Sequence, residues 1–141
     1  MHHRQSNHTQ TNHYIIMFVI MVLSGLLTTM NVWVDKLEDI RFSLNDVYMV
    51  LLMGGWMLLF MGLFYQELAP FIMGLLLVIS NIWCIRTQFL ISETQYKAGM
   101  IPHHSMAVHM SKKLLEKTNT ISPFLNNLIR TQANEIVFLK N

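Results

Sequence analysis

The stretch YIIMFVIMVLSGLLTTMNVWV, from Tyr14 to Val34, runs for 21 residues without a charged side chain. A helix needs about 20 residues, at about 1.5 Å each, to cross the hydrocarbon of a bilayer. A cleavable leader has a shorter apolar core followed by a small-residue cleavage site. Thr28-Thr29-Met30-Asn31 is not such a site, so the segment is expected to persist as a membrane helix. Two more apolar runs follow. Val47 to Phe64 contains Gly54, Gly55 and Gly62, residues that let helices approach closely. Phe71 to Ile85 is extended by Leu68 and Ala69, with Pro70 suited to a first helical turn. Trp33 and Trp83 stand where interfacial anchors belong, and Trp56, in mid-span, is expected to pack between helices. The reading is a polar tail over 1–13, a three-helix transmembrane region over 14–86 and a separate C-terminal helical domain over 87–141.

Composition agrees with that division. Apolar residues make up 52% of the 141 and charged residues 13%, about half the usual charged share of roughly 25%. The net charge of +2, with Lys and Arg forming no stripe, excludes nucleic acid as a partner and leaves the lipid bilayer as the obvious one. The single Cys84 lies in an apolar run and can form neither an internal disulfide nor a CxxC site. Methionine is abundant, 12 residues, and the three beyond residue 90 sit in the polar tail, where membrane packing does not account for them.

The tail reads as two helices, about Ser92 to Lys117 and about Pro123 to Lys140. Thr118-Asn119-Thr120 forms the break, with Ser122 as an N-cap and Pro123 as the first helical residue. At about 100° per residue, Tyr96, Met100, His103, His104, Ala107, Met110 and Leu114 share one arc of the first helix, Met106 lies at its edge and His109 points away. Single His or Met residues at helical spacing usually pack. Adjacent histidines flanked by methionines are less simply explained, because thioether sulfur is soft and selects Cu(I) while imidazole accepts either copper state or zinc. The expected metal ligands are therefore Met100, His103, His104 and Met110, with copper favoured, Cu(I) above all, and zinc as the other candidate. Tyr96, Met106 and His109 are secondary candidates. Pro102, beside Gly99, should kink the helix just ahead of the His pair.

On the second helix Leu125, Leu128, Ile129, Gln132, Ile136 and Leu139 form an apolar stripe with Gln132 at its centre and Glu135 on its border. A buried amide needs a partner, and a facing imidazole N–H would serve Gln132. Glu135 could orient a ligating histidine or bind metal itself. A further Cu(II) site is offered by the free amine, the first backbone amides and His3 of Met1-His2-His3. No nucleophile with a base, no phosphate loop and no Glu-x-x-His pair is present, so an enzyme is not expected. The readings competing with metal binding are a small membrane subunit whose tail docks a partner, and a tail that responds to pH through its histidines.

The run Met100-Ile101-Pro102-His103-His104-Ser105-Met106-Ala107, followed by Met110, Gln132 and Glu135-Ile136, resembles domain-of-unknown-function family 305, especially its short members with three spans ahead of the domain. That family is similar to ferritin-like helical bundles, and some members are associated with copper binding and resistance. The resemblance implies an all-α fold, three transmembrane helices followed by a two-helix, ferritin-like half-bundle. It also implies metal-ligand roles for Met100, His103, His104 and Met110, supported by Gln132 and Glu135, whereas Met106 and His109 lie outside its pattern. Two helices of about 50 residues make a marginal core, so a homo-oligomer formed through the C-terminal helices is expected. Counting Lys36, Arg41, Arg86 and Lys97 favours a cytoplasmic tail. The resemblance favours a bacterial inner membrane with the tail on the periplasmic face, which is the orientation retained.

Overall fold

The computed structural model describes the backbone of residues 3–141 and the side chains of residues 12–141. Among them the chain is all-α. Helices α1 (His3–Leu27), α2 (Leu44–Tyr65), α3 (Leu68–Thr87), α4 (Glu93–Leu115) and α5 (Ser122–Lys140) are joined by turns that include two short 3-10 segments, Met30–Trp33 and Leu37–Asp39. Three segments, Asn12–Trp33, Leu44–Tyr65 and Leu68–Thr87, are long and apolar enough to cross a membrane. The first is not one smooth helix. Thr29 is extended, with ψ of 175°, so α1 ends at Leu27 and the chain resumes as a 3-10 turn. The chain forms two compact units, one of Met1–Leu27 with Val47–Phe89 and one of Thr28–Asp46 with Leu90–Asn141.

In the first unit α2 turns directly into α3. Gln66 adopts the left-handed conformation (φ 55°), and Glu67 N–H donates back to the Gly62 carbonyl at 2.9 Å, closing the end of α2. Glycine lets the two helices meet backbone to backbone. A Cβ on Gly62 would strike the Phe71 backbone, and one on Gly74 would strike the Leu59 amide and come within 2.7 Å of the Gly55 carbonyl oxygen. Neither neighbour can rotate away. Gly74→Ala is therefore expected to push the hairpin apart at a cost of about 1–3 kcal/mol. The check is the midpoint of SDS-induced unfolding of the full chain in mixed micelles, which should fall, while Met73→Ala on the exposed face should leave it nearly in place. Trp56 departs from expectation. It is exposed and stacks on Phe60, with ring centroids 5.7 Å apart, rather than packing between helices.

The second unit is built on the α4–α5 hairpin. Ile101, Val108 and Ile136 form its core, with Ile129 and Leu139 packed at the margin. Asn119 holds the turn: its side-chain amide donates to the Leu114 and Lys117 carbonyls, and its Oδ1 accepts from Ile121 N–H and from the Ser122 hydroxyl at 2.8 Å. Ser122, expected as the N-cap, is thus the first residue of α5 and gives its hydroxyl to Asn119. At the other end of the hairpin Ser92 caps α4 by accepting from Gln95 N–H. The helix runs through Pro102 without interruption.

Read as sequence, residues 28–34 end the first apolar run and Asp35 to Asp46 is a charged connection, yet segment 28–46 packs onto α4. Asn31 closes it by donating to the Arg41 carbonyl at 2.7 Å and accepting from Arg41 N–H at 3.0 Å. At the start of α2 the Asp46 carboxylate accepts from the Ser43 N–H and hydroxyl, and Leu44 N–H donates to Gln95 Oε1 on α4 at 2.7 Å. Two apolar helices separate this segment from the tail in sequence, and an even number of crossings would return both to the same side of a membrane.

Candidate metal centre

The buried stripe of α4 is Ile101, His104, Ser105, Val108 and Ser111. The His/Met arc lies beside this stripe and faces outward. Tyr96 is 51% exposed, Met110 is 52% exposed and His103 is also exposed, while Met100, Met106, Ala107 and His109 are half-buried. His104 stands at the border between the two faces. Its Nδ1 lies 2.9 Å from Oε2 of Glu135 on α5, and neither of these two buried atoms makes a hydrogen bond. Of the two partners that α5 offers an imidazole, Glu135 and the half-buried Gln132, it is Glu135 that meets His104.

A carboxylate that accepts from Nδ1 would hold the proton there and leave Nε2 to serve as a ligand. The His103 ring stands 5.9 Å from that of His104, centroid to centroid, at 67°. Among the described residues no three His, Cys, Asp or Glu side chains gather into one group. A closed zinc site, which takes four nitrogen or sulfur ligands, therefore finds no such donor group here. The donors that are present are two imidazoles on a helix that also carries thioethers. Of the N-terminal Cu(II) candidates, Met1, His2 and the His3 side chain lie outside the described residues.

The structure also brings out residues that sequence reasoning missed. Ser105, 0% exposed, donates its hydroxyl to Asp39 Oδ2 at 2.6 Å and accepts from Asp35 N–H at 2.9 Å. Lys140, at the end of α5, lies 2.6 Å from Asp39 Oδ1, and Lys112 donates to Asp35 at 2.6 Å. Burial alone would raise the Asp39 carboxyl, but the Lys140 ammonium and the Ser105 hydroxyl outweigh it and hold the group below its ordinary value of 3.8. Lys140 is raised above 10.5, chiefly by its contact with Asp39. The sequence alone carried no signal for this, because Ser105 becomes a buried hydroxyl in need of a partner only once the Ile101–Val108 side of α4 is known to be covered.

Residues 88–141 match the family described as Domain of unknown function (DUF305). A protein of Acanthamoeba polyphaga mimivirus, Uncharacterized protein L153, is 40% identical over 132 residues, covering 86% of this chain and 85% of its own. No solved structure matches. The family match takes in all of α4 and α5 with the His104–Glu135 pair, and the viral relative extends the likeness across the apolar helices: the chain belongs to the DUF305 family.

Proposed function

We propose that this chain is a membrane-anchored protein that binds and buffers a soft metal ion, copper(I) before zinc, on the His/Met face of α4. The observation that carries the reading is the 2.9 Å approach of Glu135 Oε2 to His104 Nδ1, which sets a carboxylate behind an imidazole on a helix that also carries soft donors. His103 and His104 supply nitrogen, Met100 and Met110 supply sulfur, and Glu135 orients His104. Tyr96, Met106, His109 and Gln132 border the site. When bound, copper would be held in a stable, exchangeable form, and the reading requires no catalytic step.

Three apolar helices of spanning length support the membrane anchor. The packing of segment 28–46 with the tail supports an even number of crossings between them, as three spans require. A ferritin-like half-bundle for the hairpin and a role in copper resistance extend the proposal along the resemblance. A bacterial inner membrane with a periplasmic tail belongs to that extension, and the viral relative means that the proposal rests on a membrane rather than on one compartment.

The test is retention. Full-length protein in detergent, loaded with Cu(I) under a reductant and dialysed, should keep copper in proportion to chain, and loss of all copper would contradict the reading. Glu135→Ala should weaken Cu(I) affinity about 10–100-fold, the usual effect of removing a carboxylate behind a ligating histidine. Competition against a chromophoric chelator measures it. Exposed Phe124, Val137 and Phe138 on α5 favour the second reading, a tail that docks a protein partner without metal. A chain that retains no copper would point there.

A further inference from the structure

The exposed face of α4 has a spacing that a lone helix does not need. Tyr96, Met100, His103, Ala107, Met110 and Leu114 follow one another at intervals of four, three, four, three and four residues. That is the a/d repeat of a coiled-coil seam. The α5-facing stripe of Ile101, His104 and Val108 is a separate line, so α4 carries two seams, and in the single chain only that one is covered. Tyr96, His103, Met110 and Leu114 on the other seam are exposed.

The open seam is also symmetric in position. Tyr96 and Leu114, Met100 and Met110, and His103 and Ala107 lie respectively nine, five and two residues to either side of Ser105. In an antiparallel pair of α4 helices, a positions meet d positions of the other copy. Each of these three pairs then becomes a layer: tyrosine on leucine, methionine on methionine, histidine on alanine. The last layer sets a large side chain against a small one, the arrangement that lets facing helices interdigitate. A parallel pair would set Met100 on Met100 and His103 on His103, with no such complementarity.

The ligand set demands the same pairing. Met100 and Met110 are ten residues apart, about 15 Å along a helix, too far for two thioethers of one chain to reach one ion. No three His, Cys, Asp or Glu side chains gather within the described residues to close a site instead. We infer that two copies of this chain pair through α4 in antiparallel register, and that each metal site takes Met100 and the neighbouring His103 from one copy and Met110 from the other. This rests on the metal-binding reading above and adds the partner. The interface is isologous, so each pair of chains holds two equivalent sites.

Two measurements on the full chain in detergent separate the pairing from the metal. In a Cys84→Ser background, chains carrying Tyr96→Cys mixed with chains carrying Leu114→Cys should cross-link under mild oxidation, and the Tyr96→Cys chain alone should not. For the metal, Met100→Leu and Met110→Leu chains each lose high-affinity Cu(I) sites when pure. In a purified heterodimer of the two, one site lacks both sulfurs and the other keeps both, so half of the sites should return at wild-type affinity. Cross-linking of Tyr96→Cys to itself, or wild-type protein that binds Cu(I) with no site restored in the heterodimer, would overturn the shared centre. Cross-linking from 96 to 114 in a wild-type chain that binds no Cu(I) would instead overturn the metal reading and leave the pairing intact.

Discussion

Lys140→Met is expected to destabilise the second unit by about 1–3 kcal/mol, because a buried carboxylate that loses its partner bears the cost of its own desolvation. The stranded group is Asp39, 2% exposed, which would keep only the Ser105 hydroxyl on its other oxygen. Asp39→Asn should cost less. The amide can still accept from Ser105, and Lys140, whose side chain is 26% exposed, can turn toward water and toward Glu38 at 3.3 Å. The order of the two variants is the informative result, since a merely superficial ion pair would cost about 0–1 kcal/mol whichever side was removed. Amide hydrogen exchange of α4 and α5 in the full chain measures it, as faster exchange in Lys140→Met than in Asp39→Asn.

The same pair gives the unit its pH dependence. Asp39 is depressed in the folded chain, so its contribution is present above the ordinary value of 3.8 and is lost as pH falls through the lower folded value. Lys140 is raised, so its contribution is present below 10.5 and is lost as pH rises through the higher folded value. Protection of α4 and α5 should therefore hold across the neutral range and fall at both extremes. In Asp39→Asn the contribution of the pair to both edges should vanish.

His103→Ala combined with His104→Ala is expected to abolish copper retention altogether. The double change removes both imidazoles and leaves only thioethers, while Glu135 loses the side chain it meets. The single variants should differ. His103 is exposed and touches only the edge of its neighbour, so His103→Ala should weaken affinity without disturbing the helix pair. His104→Ala also removes a buried side chain from the contact of α4 with α5 and should cost stability as well as metal. Helix content by circular dichroism, measured beside copper retention, separates the two effects.

Much of the fold was legible because long uncharged runs favour a structure that satisfies its own backbone: Val47 to Phe64 lies wholly within α2, whereas Tyr14 to Val34 is α-helical only as far as Leu27. The two tail helices were equally plain from Thr118-Asn119-Thr120 and Pro123. What sequence hid was partnership at a distance. Asp39 reads as one charge among several in a mixed-sign connection, and nothing local ties it to Ser105, 66 residues on, or to Lys140 near the end of α5. Trp56 was misjudged because an apolar environment rewards an outward tryptophan as readily as an inward one. At the site, helical spacing gave the His/Met arc, but not which side of α4 would be covered. Glu135 and Gln132 both stood ready for an imidazole, and only the packing of α5 on α4 selected Glu135 for His104. The open seam could be read only once the covered one was known.

The central claim is that soft donors on α4 hold the metal, and X-ray absorption at the copper edge tests it most directly. Full-length protein carrying Cys84→Ser, loaded with Cu(I), should show copper bound by both thioether sulfur and imidazole nitrogen, with the sulfur contribution falling in Met100→Leu and Met110→Leu. A shell of nitrogen and oxygen alone, unchanged in the methionine variants, would contradict it.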